Sequence, residues 1–144
     1  MDVRDYTQTY LDKFFEVNGV NNISRSISEY TYILLDGEKV YFCENFAKTL
    51  IILTDLRLVI CQKKSLQETI ISSINIWKIT KVNLSINKGL GSSILTLWYS
   101  NNLCVRSATS VYENVQIELP NKTPWAFLYK VLETIVIKNS IFLC

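Results

Sequence analysis

The stretch Thr49-Leu50-Ile51-Ile52-Leu53-Thr54-Asp55-Leu56-Arg57-Leu58-Val59-Ile60-Cys61-Gln62 decides the fold. Leu50 to Thr54 is almost continuously apolar, as a strand covered on both faces must be. Thr54-Asp55 then turns the chain, and Arg57 to Gln62 forms the return strand. An ion pair between Asp55 and Arg57 would hold the turn. Working outward, the same alternation of short β-prone runs and polar turns continues from Lys39 to Lys138. About seven strands close on one helix, which points to a small bent sheet or open barrel plugged by that helix.

Upstream, Tyr30 to Leu35 reads as a strand, Asp36-Gly37 as a turn and Lys39 to Glu44 as the next strand. Downstream, Lys63-Lys64-Ser65 reads as a hairpin tip, followed by a strand at Gln67 to Ser72 and a connector at Ser73-Ile74-Asn75. Trp77, Ile79, Val82, Leu84 and Ile86 mark one long strand. Asn87-Lys88-Gly89-Leu90-Gly91 is a hairpin loop in which two glycines supply positive φ. Strands follow at Ile94 to Tyr99 and around Val115, Ile117 and Leu119, with Leu103 to Arg106 a short strand or loop edge. Thr123 is a helix N-cap and Pro124 a first-turn residue. Trp125, Leu128, Leu132, Ile135 and Val136 then share one helical face.

The first 30 residues read as a helical appendage, and residues 31–144 as the main domain. Tyr6, Tyr10, Leu11, Phe14 and Phe15 recur at helical spacing between Asp5 and Val17. Such a face either packs on the sheet or docks a partner or a membrane.

Composition bounds the chemistry. The chain has 144 residues, 49% apolar and 19% charged, enough for one packed domain. Net charge is +2, and the charges are scattered, with Lys63-Lys64 the one basic doublet, so nucleic acid is not the expected partner. With 0 His and no close pair among the 4 Cys, a metal site is not expected. Cys43 and Cys61 read as small buried hydrophobes, reduced in a cytoplasmic setting. No stretch offers the roughly 20 uncharged residues of a membrane span.

No catalytic constellation emerges. Asp36 with Glu38, and Asp2 with Asp5, are carboxylate pairs in a turn and at a terminus, where carboxylates solvate loops. Lys88 to Ser93 lacks phosphate-loop spacing and joins two strands. The expectation is a chain that is not an enzyme and needs no cofactor.

Several of these residues carry a resemblance. Leu35-Asp36-Gly37-Glu38-Lys39-Val40 resembles the opening of pleckstrin-homology-like domains. Thr49 to Ile60 is similar to the T-x-x-R-L hairpin of GRAM, GLUE and bacterial PH-like domains, and Lys88 to Ser93 resembles a GLUE-domain hairpin. The resemblance spans about residues 34–138. It implies a mostly β fold, a seven-stranded bent sheet or open barrel capped by a C-terminal helix, here with an added N-terminal helix. It also implies a binding module for phosphoinositides, ubiquitin, peptides or copies of itself.

The residues that would contact an anionic headgroup are Lys48, Lys63, Lys64 and Arg106, a thin set beside the dense basic clusters of lipid-binding members. Tyr6, Tyr10, Phe14, Trp98 and Tyr99 would serve a protein partner. Adjacent strand positions put Trp98 and Tyr99 on opposite sheet faces, leaving one ring available. The expected role is a cytoplasmic, non-catalytic adaptor, peripheral at a membrane through weak phosphoinositide contact. The alternative is a self-assembling structural subunit, a homo-oligomer built through sheet edges or the N-terminal helix without lipid.

Overall fold

The computed structural model describes residues 8–13, 16, 31–46, 49–100, 112–120 and 123–142. Two compact units divide the chain, Met1–Ser73 and Ile74–Cys144.

In the first unit, residues 8–13 form helix α1. Strands β1 (Val40–Phe46), β2 (Thr49–Thr54), β3 (Arg57–Lys63) and β4 (Thr69–Asn75) follow, in a sheet of order β1-β2-β3-β4. Register pairs Ile52 with Val59 and Leu50 with Cys61. Those four and Cys43 form one buried cluster, while Phe42, Ile51, Leu53, Leu58 and Ile60, one position out of phase, are buried too. β2 and β3 are therefore covered on both faces, which is why their sequence shows no alternation. Each fully buried Ile or Leu contributes about 1.5–3 kcal/mol. Cys43 and Cys61 are both buried in this core, and burial pushes the Cys61 thiol up.

A register shift between Val40 and Phe42 re-aims Tyr41. Its hydroxyl donates to Asp12 Oδ1 at 2.6 Å. Lys39 Nζ reaches the same oxygen at 2.6 Å, and Gln8 Nε2 donates to Asp55 Oδ2 at 3.3 Å. Leu11 is fully buried. Of the two roles open to the N-terminal segment, packing on the sheet is what its described residues do.

The turns are fixed by one polar cluster. Glu38 Oε2 accepts from the Thr54 hydroxyl (2.6 Å) and Arg57 Nε (2.9 Å), and Oε1 from the Leu35 N–H (2.9 Å) and Arg57 Nη2 (3.1 Å). Thr54 Oγ1 in turn accepts from the Leu56 and Arg57 N–H groups, closing the β2–β3 turn. Arg57 thus pairs with Glu38, not with Asp55 as its neighbourhood in sequence suggests. Asp55 is buried and accepts from the Lys39 N–H at 3.0 Å. Nor is Glu38 a solvating loop carboxylate: its side chain is 0% exposed, against 16% for Arg57.

The same cluster overturns the strand expected at Tyr30 to Leu35. Thr31–Ile33 is a 3-10 turn instead, with the Leu34 N–H bonded to the Thr31 carbonyl at 3.2 Å. Arg57 Nη2 takes the Ile33 carbonyl and Glu38 takes the Leu35 N–H, so these backbone groups are satisfied without a ladder. Gly37 sits at φ 76 in the following turn.

In the second unit, β5 (Ile79–Asn87), β6 (Ser92–Ser100) and β7 (Tyr112–Pro120) form an antiparallel sheet of order β5-β6-β7, and helix α2 spans Thr123–Phe142. Val82, Leu95, Leu97, Ile117 and Leu119 form the buried face. Leu128, Val131, Leu132 and Ile135 are the buried stripe of α2, which packs against β5. The Trp125 side chain lies outside the described residues.

Three local expectations change. Ser73 to Asn75 ends β4 instead of connecting it. Trp77 lies in a 3-10 turn, Ile76–Lys78, because the Asn75 side chain accepts the Trp77 N–H at 3.0 Å, so β5 starts only at Ile79. In the β5–β6 loop, Gly91 alone of the two glycines has positive φ (68); the Asn87 side chain closes the loop by accepting the Leu90 N–H at 3.1 Å. Leu103 to Arg106 lies outside the described residues.

Burial disfavours ionised Glu38, but the bonds from Arg57, Thr54 and Leu35 outweigh it and hold its carboxyl below the ordinary 4.5. A lowered folded value contributes stability above the unfolded value, and this is lost as pH falls through the folded one. Arg57→Ala strands a buried carboxylate and should cost about 3–5 kcal/mol near neutral pH. In that variant burial dominates, so the Glu38 value rises and the sign reverses. Urea unfolding from pH 7 down to pH 3 should therefore show the wild type losing stability and the Arg57→Ala deficit shrinking. A deficit constant with pH would refute the pairing as the source.

Candidate functional site

β3 ends at Lys63, and the Lys64 and Ser65 N–H groups both donate to the Glu68 carbonyl, at 3.0 and 3.3 Å. These bonds close a short loop onto β4. Residues 63–71 are all exposed, so this hairpin projects from the sheet. Leu66 at its tip is 107% exposed, beside Lys63 and Lys64. No carboxylate pairs with either lysine among the described residues. Within residues 63–68 the two lysines face one acid, Glu68, so the hairpin is locally basic.

Of the four expected anion-site residues, the structure brings Lys63 and Lys64 together. Lys48 and Arg106 lie outside the described residues, as do Tyr6 and Phe14 of the expected protein-facing set. Tyr10 is half-buried. Leu66 was not legible as a site residue; its signal is an isolated apolar side chain between polar neighbours at a basic tip.

Trp98 and Tyr99 do lie on opposite faces. Tyr99 pairs with Glu113, and its hydroxyl donates to Glu113 Oε2 at 3.1 Å. Burial and then this carboxylate raise the Tyr99 value. Trp98 pairs with Lys81 and Asn114 on the other face, and Lys81 Nζ stands 4.8 Å from its ring centroid. Asn83, Ile94, Gln116 and Glu118 on that face are exposed. Lys81 is the second residue the sequence did not single out; only the β5–β6 register brings it to Trp98.

Several of the described carboxylates are engaged in structure. Glu38 and Asp55 are bonded as above. Asp12 is held below the usual aspartate value, first by the Lys39 bond and then by Tyr41. No group of three or more metal-ligating side chains occurs among the described residues. No helix among them is long and apolar enough to cross a membrane.

The order of seven strands and a C-terminal helix has counterparts among solved structures. A pleckstrin homology domain from Shewanella amazonensis SB2B superposes with a TM-score of 0.64, covering 85% of this chain and 98% of that one at 18% identity. A DUF1696-family protein with a pleckstrin-homology domain, from Shewanella loihica PV-4, superposes at 0.58, covering 81% and 99% at 17% identity. The chain has a pleckstrin-homology-like fold. No protein-family profile matches it, and no curated protein matches it by sequence. At such identities the likeness is one of fold, and the GRAM and GLUE subtypes are narrower than it.

If the β3–β4 hairpin of this PH-like fold is free surface, its side chains are dispensable for folding. Lys63→Glu, Lys64→Glu and Leu66→Ser should each leave unfolding free energy within about 0.5 kcal/mol of wild type in urea titrations. A larger loss would mean that the hairpin is held by contacts needed for stability.

Proposed function

We propose that this chain is a non-catalytic binding module whose β3–β4 hairpin touches an anionic membrane surface. The observation that carries this reading is a fully exposed leucine beside two lysines that have no counter-ion among the described residues. Each lysine near an anionic surface is worth about 1 kcal/mol. Burying a leucine side chain adds about 1.5–3 kcal/mol. The sum is on the scale of a millimolar contact, about 4 kcal/mol, so such contact needs avidity or a second partner to hold the module in place.

A protein-interaction role, as an adaptor, is favoured by Trp98. A large ring on a sheet face with exposed neighbours is the kind of residue on which binding energy concentrates. The two roles are compatible, because hairpin and ring lie on different elements.

Co-sedimentation with vesicles tests the first role. Vesicles containing phosphatidylserine or a phosphoinositide should retain the protein, and phosphatidylcholine vesicles should not. Salt at about 0.5 M should release most of it, and Lys63→Glu/Lys64→Glu should abolish retention. Retention unchanged in the double variant would remove the hairpin from the function.

A further inference from the structure

A serine hydroxyl can serve as a phosphoryl acceptor where an enzyme can reach it, and the added charge matters where it changes what the surface does. Among the described residues, Ser65 is the serine that meets both conditions. It is exposed and stands in the β3–β4 loop, whereas the other described serines lie in β4, β5, β6 or α2. Its Oγ accepts from the Gln67 N–H at 3.3 Å and its own N–H donates to the Glu68 carbonyl, so the tip is a tight bend around this side chain.

The charges around it fit a kinase whose substrate groove is acidic. Lys63 and Lys64 stand directly before Ser65, and charge patterns of this kind steer the pairing of kinase and substrate. Ser65 also separates those lysines from Leu66, the two parts of the hairpin assigned above to the membrane. Over residues 58–77 the charged side chains are Lys63, Lys64 and Glu68, a net charge of +1. Phosphoserine brings about −1.5 to −2 at neutral pH, which reverses the sign of the tip.

We propose that Ser65 is a phosphorylation site whose modification releases the β3–β4 hairpin from anionic lipid. This rests on the membrane reading given under the proposed function. The γ-phosphoryl of a nucleoside triphosphate passes to Ser65 Oγ. The Oγ–P bond forms, the bond to the departing nucleoside diphosphate breaks, and the hydroxyl proton goes to the base of the kinase. The new oxygens compete with lipid phosphates for Lys63 and Lys64. Seating Leu66 in the bilayer would then carry negative charge into an anionic headgroup layer.

Two measurements test this. Incubation with MgATP and a serine kinase selective for sites preceded by basic residues, followed by peptide mass spectrometry, tests the site. The wild type should gain a phosphate on Ser65, and Lys63→Glu/Lys64→Glu should gain it at least about tenfold more slowly. Co-sedimentation with phosphatidylserine vesicles tests the switch. The phosphorylated protein should bind about thirtyfold more weakly, about 2 kcal/mol, the worth of both lysines. Phosphatase should restore binding. Ser65→Ala should bind as the wild type does and should not respond to the kinase. No phosphate on Ser65 overturns the proposal. So does equal binding of the phosphorylated and unmodified proteins, or release of Ser65→Ala by the kinase. In those cases unmodified protein that still binds leaves the membrane reading standing. Unmodified protein that never binds overturns that reading and the switch with it.

Discussion

A carboxylate taken out of water must find a full set of donors, and Glu38 finds four of them. They come from three places in sequence: the backbone at Leu35, the hydroxyl of Thr54, and two nitrogens of Arg57. Their convergence sets the path into β1, the geometry of the β2–β3 turn and the 3-10 turn at Thr31–Ile33 together. None of these is separately adjustable, because moving one donor leaves a buried charge short of a partner. Asp55 adds a second clasp, accepting from the Lys39 N–H while its own N–H donates to the Lys39 carbonyl. The buried apolar ladder of β2 and β3 supplies the driving force; the polar cluster specifies which turn closes it.

That division explains what the sequence makes legible. β2 and β3 are plain because their pattern is continuous, and the Asp36-Gly37 turn because positive φ favours glycine. The α2 stripe is plain because Leu128, Leu132 and Ile135 keep helical spacing. The Tyr30 to Leu35 segment misleads because its β-branched and aromatic content states a preference, while the Ile33 carbonyl is claimed by Arg57, 24 residues away, and the Leu35 N–H by Glu38, itself held by Arg57 across 19 residues. Trp77 misleads for a local reason: one Asn75 side chain converts an apparent strand start into a turn. Arg57 is the instructive case. Its nearest acid in sequence is Asp55, but a strand end directs the guanidinium across the turn to Glu38.

The candidate site is legible only in part, and the reason differs by residue. Lys63 and Lys64 stand out because a basic doublet between two β-prone runs must fall at a hairpin end. Leu66 does not, since exposure of one apolar residue is a property of the folded surface. The partition of Trp98 and Tyr99 follows from strand parity, which survives the register shift between Ile79 and Lys81. Lys81 reaches Trp98 through that register, and composition carries no trace of it.

The residues that make this chain look like a pleckstrin-homology-like domain are the ones consumed in holding it together. Glu38, Thr54 and Arg57 are bonded to one another and to the backbone, and Asp55 to the Lys39 N–H and to Gln8. A likeness that rests on such residues speaks for fold and is silent on binding. The β3–β4 hairpin and the Trp98 face, by contrast, are surfaces on which that polar framework makes no demand. Those positions are free to differ between chains that share the framework.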